Sequence, residues 1–271
     1  MEPAEKNNNL ANFYLALVDL QEKLASHRWL GQQINVQDEK WLQGEPILSL
    51  LPPVVPVELA RQVVDNVVTA TLEWQPGPEV LEQSTAAALT SLGDADIEDF
   101  IQTAIKNAPL AKQQWITQLN ISEQMLDFLT LNIAKPILTA YGAAVVKKID
   151  LEQWHKGHCP VCGESPVMAK LTGKYGVRML HCGRCETEWG FDRLGCPFCG
   201  NKDSNKLCFI TPETHKQYRL YLCDECKTYL KTVDERQCGE VDLFCEDLAT
   251  ADFDTLAAAE GYRRGNKRYR V

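Results

Sequence analysis

Cysteine is absent from the first 158 residues, although the 271-residue chain holds eleven. Disulfides, thiol catalysis and cysteine metal sites are therefore excluded from that stretch. No run of eighteen apolar residues occurs, so no transmembrane helix is expected. The N-terminus, MEPAEKNNNLANFYLALVDL, lacks the basic leader, long apolar stretch and small-residue cleavage site of a secretory signal. A cytoplasmic location without membrane insertion is the resulting expectation. Basic excess is missing too: 28 Lys+Arg face 37 Asp+Glu, a formal net charge of -9. The deficit lies wholly in residues 1–150, with 10 basic and 19 acidic side chains, whereas residues 151–271 carry 18 of each. No phosphate-binding surface follows from this, and nucleic acid is not an expected partner. Histidine is scarce, and His27 stands alone in the N-terminal half, where it reads as a surface or packing residue. No flavin, nicotinamide or substrate motif is present, so the chain is not expected to be an enzyme.

What is present begins with apolar stripes at helical spacing. Leu10, Phe13, Leu17, Leu20 and Leu24 share one face, as do Ala60, Val63, Val64, Val67, Val68 and Thr71. Between them, WLQGEPILSLLPPVVP carries too many prolines for a regular helix. The second stripe stops at Gln75-Pro76-Gly77-Pro78. Further helices are predicted over 79–91, 95–107, 110–119 and 122–148, with Asp94 as an N-cap and a kink or break at Pro136. Residues 1–150 thus read as an acidic all-α domain. Beyond Asp150, glycine, cysteine and aromatic residues rise and short alternating segments appear, at 177–181 and 217–222. A short helix is predicted over 252–261, with Gly261 as its stop, ahead of the basic tail RRGNKRYRV.

Eight cysteines fall into four C-x-x-C pairs: Cys159/Cys162, Cys182/Cys185, Cys196/Cys199 and Cys223/Cys226. Two residues between thiolates allow one tight turn to aim both sulfurs at one ion, and a second turn completes a tetrahedron. CPVCG and CPFCG, at the first and third pairs, add a proline that pre-sets φ and a glycine that tolerates a positive one. CPVCG…HCGRC followed by CPFCG…LCDEC reads as an internal duplication. Sequential pairing gives two four-cysteine ribbons, residues 151–195 and 196–271, the latter including the helical tail. The alternative interleaves pair one with pair three and pair two with pair four. The strand-to-helix context of a thioredoxin-like redox pair is missing, and disulfides conflict with a reducing compartment. A closed four-thiolate site has no open coordination position, which makes it structural or electron-transferring; tetrahedral sulfur suits iron and zinc alike. His155, His158 and His181 flank the ligands but are not needed as such. Trp154, Trp189, Phe191 and Phe198 are expected to shield the sites. Cys208, Cys238 and Cys245 lack partners and read as buried or idle thiols.

The runs WHKGHCPVCGESPVMAKL, RMLHCGRCETEWGFDRLGCPFCG and YRLYLCDECKTYLKTVDER resemble the formate dehydrogenase accessory protein family, FdhE. EDLATADFDTLAAAEGY resembles that family's C-terminal segment, and GEPILSLL its Gly-x-Pro element. The resemblance implies a fold of α plus small β: an all-α N-terminal domain, two tandem rubredoxin-like or zinc-ribbon modules and a short C-terminal helix. It implies a cytoplasmic, non-enzymatic maturation factor or chaperone that binds the catalytic subunit of formate dehydrogenase before export. Carried over by position, the metal ligands are Cys159, Cys162, Cys182, Cys185, Cys196, Cys199, Cys223 and Cys226, holding two ions of iron or zinc. The alternatives are a nucleic-acid-binding zinc-ribbon protein, which lacks its basic face here, and a rubredoxin-like redox protein. Whether the chain forms a homo-oligomer is left open by the sequence.

Overall fold

The structure, a computed structural model, describes residues 3–25, 39–75, 79–212 and 215–265. His27, Pro76 to Pro78 and the tail residues 266–271 lie outside them. The helices are α1 (Pro3–Ala25), α2 (Glu39–Gln43), α3 (Ile47–Leu50), α4 (Val57–Trp74), α5 (Gln83–Thr90), α6 (Asp94–Lys106), α7 (Pro109–Leu119), α8 (Glu123–Val146), α9 (Glu235–Cys238), α10 (Leu243–Ala249) and α11 (Ala251–Ala259). The strands are β1 (Met168–Thr172), β2 (Val177–His181), β3 (Glu188–Gly190), β4 (Leu207–Ile210), β5 (Tyr218–Cys223), β6 (Thr228–Asp234) and β7 (Arg263–Arg264). The backbone divides into two compact units, residues 1–32 with 53–141, and residues 33–52 with 142–271.

The first unit is all helix. Phe13, Leu17, Leu20 and Leu24 of α1 and the valine stripe of α4 are buried, as their spacing requires. Two expectations need correction. Asp94 is not a cap: Gly93 takes the N-cap position of α6, and Asp94, its first residue, pairs with Arg61 at 2.6 Å. Pro136 does not split α8, which runs unbroken for 24 residues. Its flanks explain this, because Ile133, Ala134, Ile137 and Leu138 are fully buried and packing outweighs the lost backbone bond. By length and composition α8 could cross a membrane, but 72% of its most apolar stretch is buried inside the protein. It reads as a core helix.

The second unit is built on one seven-stranded sheet, ordered β3-β2-β1-β6-β5-β4, with β7 added beside β6. β1, β2 and β3 form one antiparallel meander and β4, β5 and β6 another. A parallel β1–β6 pairing, Met168 opposite Lys231, joins them. The duplicated halves therefore share a sheet, and β6 at its middle is buried along its whole length. Lys231 of β6 is 1% exposed; its Nζ lies 2.7 Å from Asp247 of α10 and 3.2 Å from Asp254 of α11. Arg264 pairs with the same two carboxylates. The acids of the EDLATADFD segment thus clamp the C-terminal helices onto the sheet.

Residues 39–52 fold with this unit. Trp41 stacks on Trp154, ring centroids 5.2 Å apart, and its indole N–H donates to the Pro160 carbonyl at 3.3 Å. The Ile47 and Leu48 amides, unpaired donors at the start of α3, donate to the carbonyls of Pro160 and Val161 at 3.0 and 2.8 Å. The GEPILSLL element is therefore a buttress of the first C-x-x-C turn.

Candidate metal centres

The structure brings the sequential pairs together. Cys159, Cys162, Cys182 and Cys185 form one set, and Cys196, Cys199, Cys223 and Cys226 the other, with all sulfurs of a set within 4.8 Å of one another. Across the first set, Cys159 and Cys185 lie 3.5 Å apart and Cys162 and Cys182 3.4 Å. Across the second, Cys196–Cys226 and Cys199–Cys223 are both 3.7 Å. A disulfide needs about 2.05 Å, so these sulfurs are not bonded to each other. A tetrahedron with metal–sulfur bonds of about 2.3 Å has edges of about 3.8 Å, and the observed spacings lie close to it. Each set could hold one metal ion. The interleaved arrangement is not adopted.

All four turns share one backbone design. The Cys159, Cys182 and Cys196 amides donate to the carbonyl five residues on, at 2.9, 3.0 and 2.9 Å, and Cys223 pairs with Thr228 in the same offset. The residue after the second cysteine has positive φ in every turn: Gly163 at 78°, Glu186 at 57°, Gly200 at 74° and Lys227 at 52°. The glycines were legible in sequence, whereas Glu186 and Lys227 were not. A second repeated feature was also missed. Thr187 and Thr228 follow the second and fourth pairs at the same offset, and their hydroxyls lie 3.2 Å from Cys185 Sγ and 2.8 Å from Cys226 Sγ. The signal was available as C-x-x-C-x-T in CGRCET and CDECKT. A hydroxyl there can donate to a thiolate and offset part of its charge.

Burial pushes the Cys159 and Cys196 thiols well above their ordinary range. Against burial, hydrogen bonds from neighbouring groups push Cys185 and Cys223 the other way. Four convergent sulfurs with no other cation at their centre are a donor set that suits a divalent or trivalent metal. The surroundings differ between the sets. Cys159, Cys182 and Cys185 are buried and Cys162 partly so, whereas Cys199 is exposed at the second set. Trp154 and Trp189 are 1% and 0% exposed; Phe191 and Phe198 are only half-buried. Among the described residues no histidine joins either set. His158 Nε2 lies 2.9 Å from the Gly44 carbonyl, His181 is 3.0 Å from Glu186, and His155 is exposed. Cys208, Cys238 and Cys245 are apart from both sets and all exposed, so of the two expectations, buried or idle thiols, burial is not met.

Two family models match the cysteine-bearing part: FdhE, central domain, over residues 158–193, and FdhE, C-terminal domain, over residues 194–269. A protein FdhE homolog of Shewanella baltica (strain OS223) is 27% identical over 268 residues, spanning 95% of this chain and 81% of the relative. The cysteine-bearing part of the chain is thus similar to FdhE proteins. An FdhE homolog of Aquifex aeolicus (strain VF5) is 29% identical over 167 residues, 60% of this chain and 58% of the relative. Protein FdhE of Escherichia coli (strain K12) is 35% identical over 112 residues, 40% of this chain and 36% of its own length. The crystal structure of the FdhE protein from Pseudomonas aeruginosa superposes with a TM-score of 0.56 at 18% identity, covering 98% of this chain and 93% of that one. That likeness establishes the shared FdhE fold.

Proposed function

We propose that this chain is an FdhE-type accessory protein in the maturation of formate dehydrogenase, and that it binds the catalytic subunit of that enzyme in the cytoplasm. The observation that carries the reading is the pair of four-cysteine sets on one shared sheet, in a chain whose cysteine-bearing part matches the FdhE central and C-terminal domain models. In this reading the eight cysteines hold two ions of iron or zinc. Each set supplies four ligands and leaves no coordination position for a substrate, which fits a binding or electron-carrying role better than catalysis. The acidic helical part and the metal-bearing part together dock the client.

The test is affinity capture of the full chain from its native host under anaerobic conditions, with bound proteins identified by mass spectrometry and iron and zinc assayed in the same sample. The expected result is recovery of the formate dehydrogenase catalytic subunit, with about two metal ions per chain. Cys159→Ser with Cys196→Ser should lose both metal and client. Normal client activation by that double variant would overturn the reading.

A further inference from the structure

A cavity of about 540 Å³ opens beside the third C-x-x-C turn, between it and the β4–β5–β6 meander. That volume lies in the range of small-molecule sites. Its walls are largely apolar, with Leu194, Phe198, Leu207, Phe209, Leu222 and Leu230 among them. Its charged wall residues are Arg178, Arg193 and Lys202, and no Asp or Glu lines it. Cys196 and Cys223 of the second set also reach its wall.

Two buried polar atoms in the same walls lack hydrogen-bond partners. Arg178 is 2% exposed; one terminal nitrogen donates to the Gly195 carbonyl at 2.9 Å, but its Nε has no acceptor. Tyr221, whose ring lies 4.4 Å from the Arg178 guanidinium carbon, buries a hydroxyl that is also unpaired. A buried donor left unmatched is costly, and both residues line the cavity.

One competing account is that these cations only offset the thiolates of the adjacent set. A divalent ion with four thiolates leaves about two negative charges. Arg178 is already committed to backbone carbonyls and Lys202 to Asp192 at 3.0 Å. Arg193, half-buried at the cavity wall, has no carboxylate partner among the described residues. It is the cation that remains available.

We propose that this cavity is a binding site for a small organic acid: a carboxylate on a flat apolar body, with the carboxylate met by Arg193, Arg178 Nε and the Tyr221 hydroxyl and the body lying against the leucine and phenylalanine walls. The inference does not depend on the identity of the client and stands apart from the maturation reading.

The test is calorimetric titration of the metal-loaded full chain with 1-naphthoate and, separately, with neutral 1-naphthamide. Naphthoate should bind about tenfold more tightly, the worth of one charge-assisted hydrogen bond. Arg193→Gln, at a half-buried position, should erase that preference. Tyr221→Phe should weaken naphthoate in the same direction. Equal binding of the two probes, no binding of either, or a naphthoate affinity unaffected by Arg193→Gln would each overturn the proposal.

Discussion

Gly157→Ala should loosen the second cysteine set, although Gly157 lies in the approach to the first. A Cβ at Gly157 would sit 1.9 Å from the Pro197 carbonyl oxygen, 2.6 Å from its carbon and 2.8 Å from its Cα. Pro197 is inside the CPFCG turn. Neither side can yield cheaply. The Trp189 indole donates to the Lys156 carbonyl at 3.0 Å and the Trp154 indole to the His158 carbonyl at 2.8 Å, so Gly157 is pinned on both flanks by buried tryptophans. Across the gap, the turn is closed by the Cys196 and Gly200 amides, each in a 2.9 Å bond. One backbone must move by about 1 Å, which places the cost at or above about 3 kcal/mol, the top of the usual range for overpacking. The assay is denaturant unfolding of the metal-loaded chain by near-ultraviolet circular dichroism, paired with the rate of metal release to a chelator. One ion per chain should leave faster than in the parent, and the unfolding midpoint should fall. Gly190→Ala is the control, since a Cβ there meets nothing within 4 Å. If Gly157→Ala holds both ions as the parent does and shifts stability by less than about 0.5 kcal/mol, the reasoning fails.

Lys231→Met should cost about 3–5 kcal/mol by leaving the Asp247 and Asp254 carboxylates short of their buried partner. Denaturant unfolding measures it, and a loss below about 1 kcal/mol would remove the clamp argument. His158 is held below its ordinary value, first by burial and then by Lys156, against the opposing bond to the Gly44 carbonyl. Its neutral form is the one the fold accepts, so its contribution is complete above about pH 6.5 and fades as the pH falls below it. His158→Gln should flatten the pH dependence of the unfolding midpoint across that value; identical profiles for the two proteins would refute the assignment.

Much of this was legible because local signals are strong. The segment 177–181 is β2, the valine stripe is most of α4, and Gly163 and Gly200 take the positive φ that their turns need. The sulfur pairing followed from spacing. What escaped is non-local or chemically disguised. Nothing in either half announces that β1 lies parallel to β6, because the pairing depends on two distant hairpins meeting. The GEPILSLL stretch reads as a loop by its prolines, yet its amides find partners on Pro160 and Val161, more than a hundred residues away. Glu186 and Lys227 occupy left-handed backbone without the glycine that normally marks it, held there by the turn they close. Asp94 and Pro136 show the opposite error, where a residue preference was overridden by an ion pair and by packing.

The duplicated turns have diverged in their surroundings. The first set has Trp154 and Trp189 hydrogen-bonded to the His158 and Lys156 carbonyls just ahead of Cys159, is supported from outside by α3, and reaches the surface only partly through Cys162. A metal held there would be largely shielded from water. The second set exposes Cys199, lies beside the cationic cavity, and has the half-buried Phe198 inside its turn. Of the two sets, the second is the more open to solvent. The shared sheet then gives the buried centre a reason to exist: through the Gly157–Pro197 contact and the β1–β6 pairing, a rigid first module fixes the position of the accessible one.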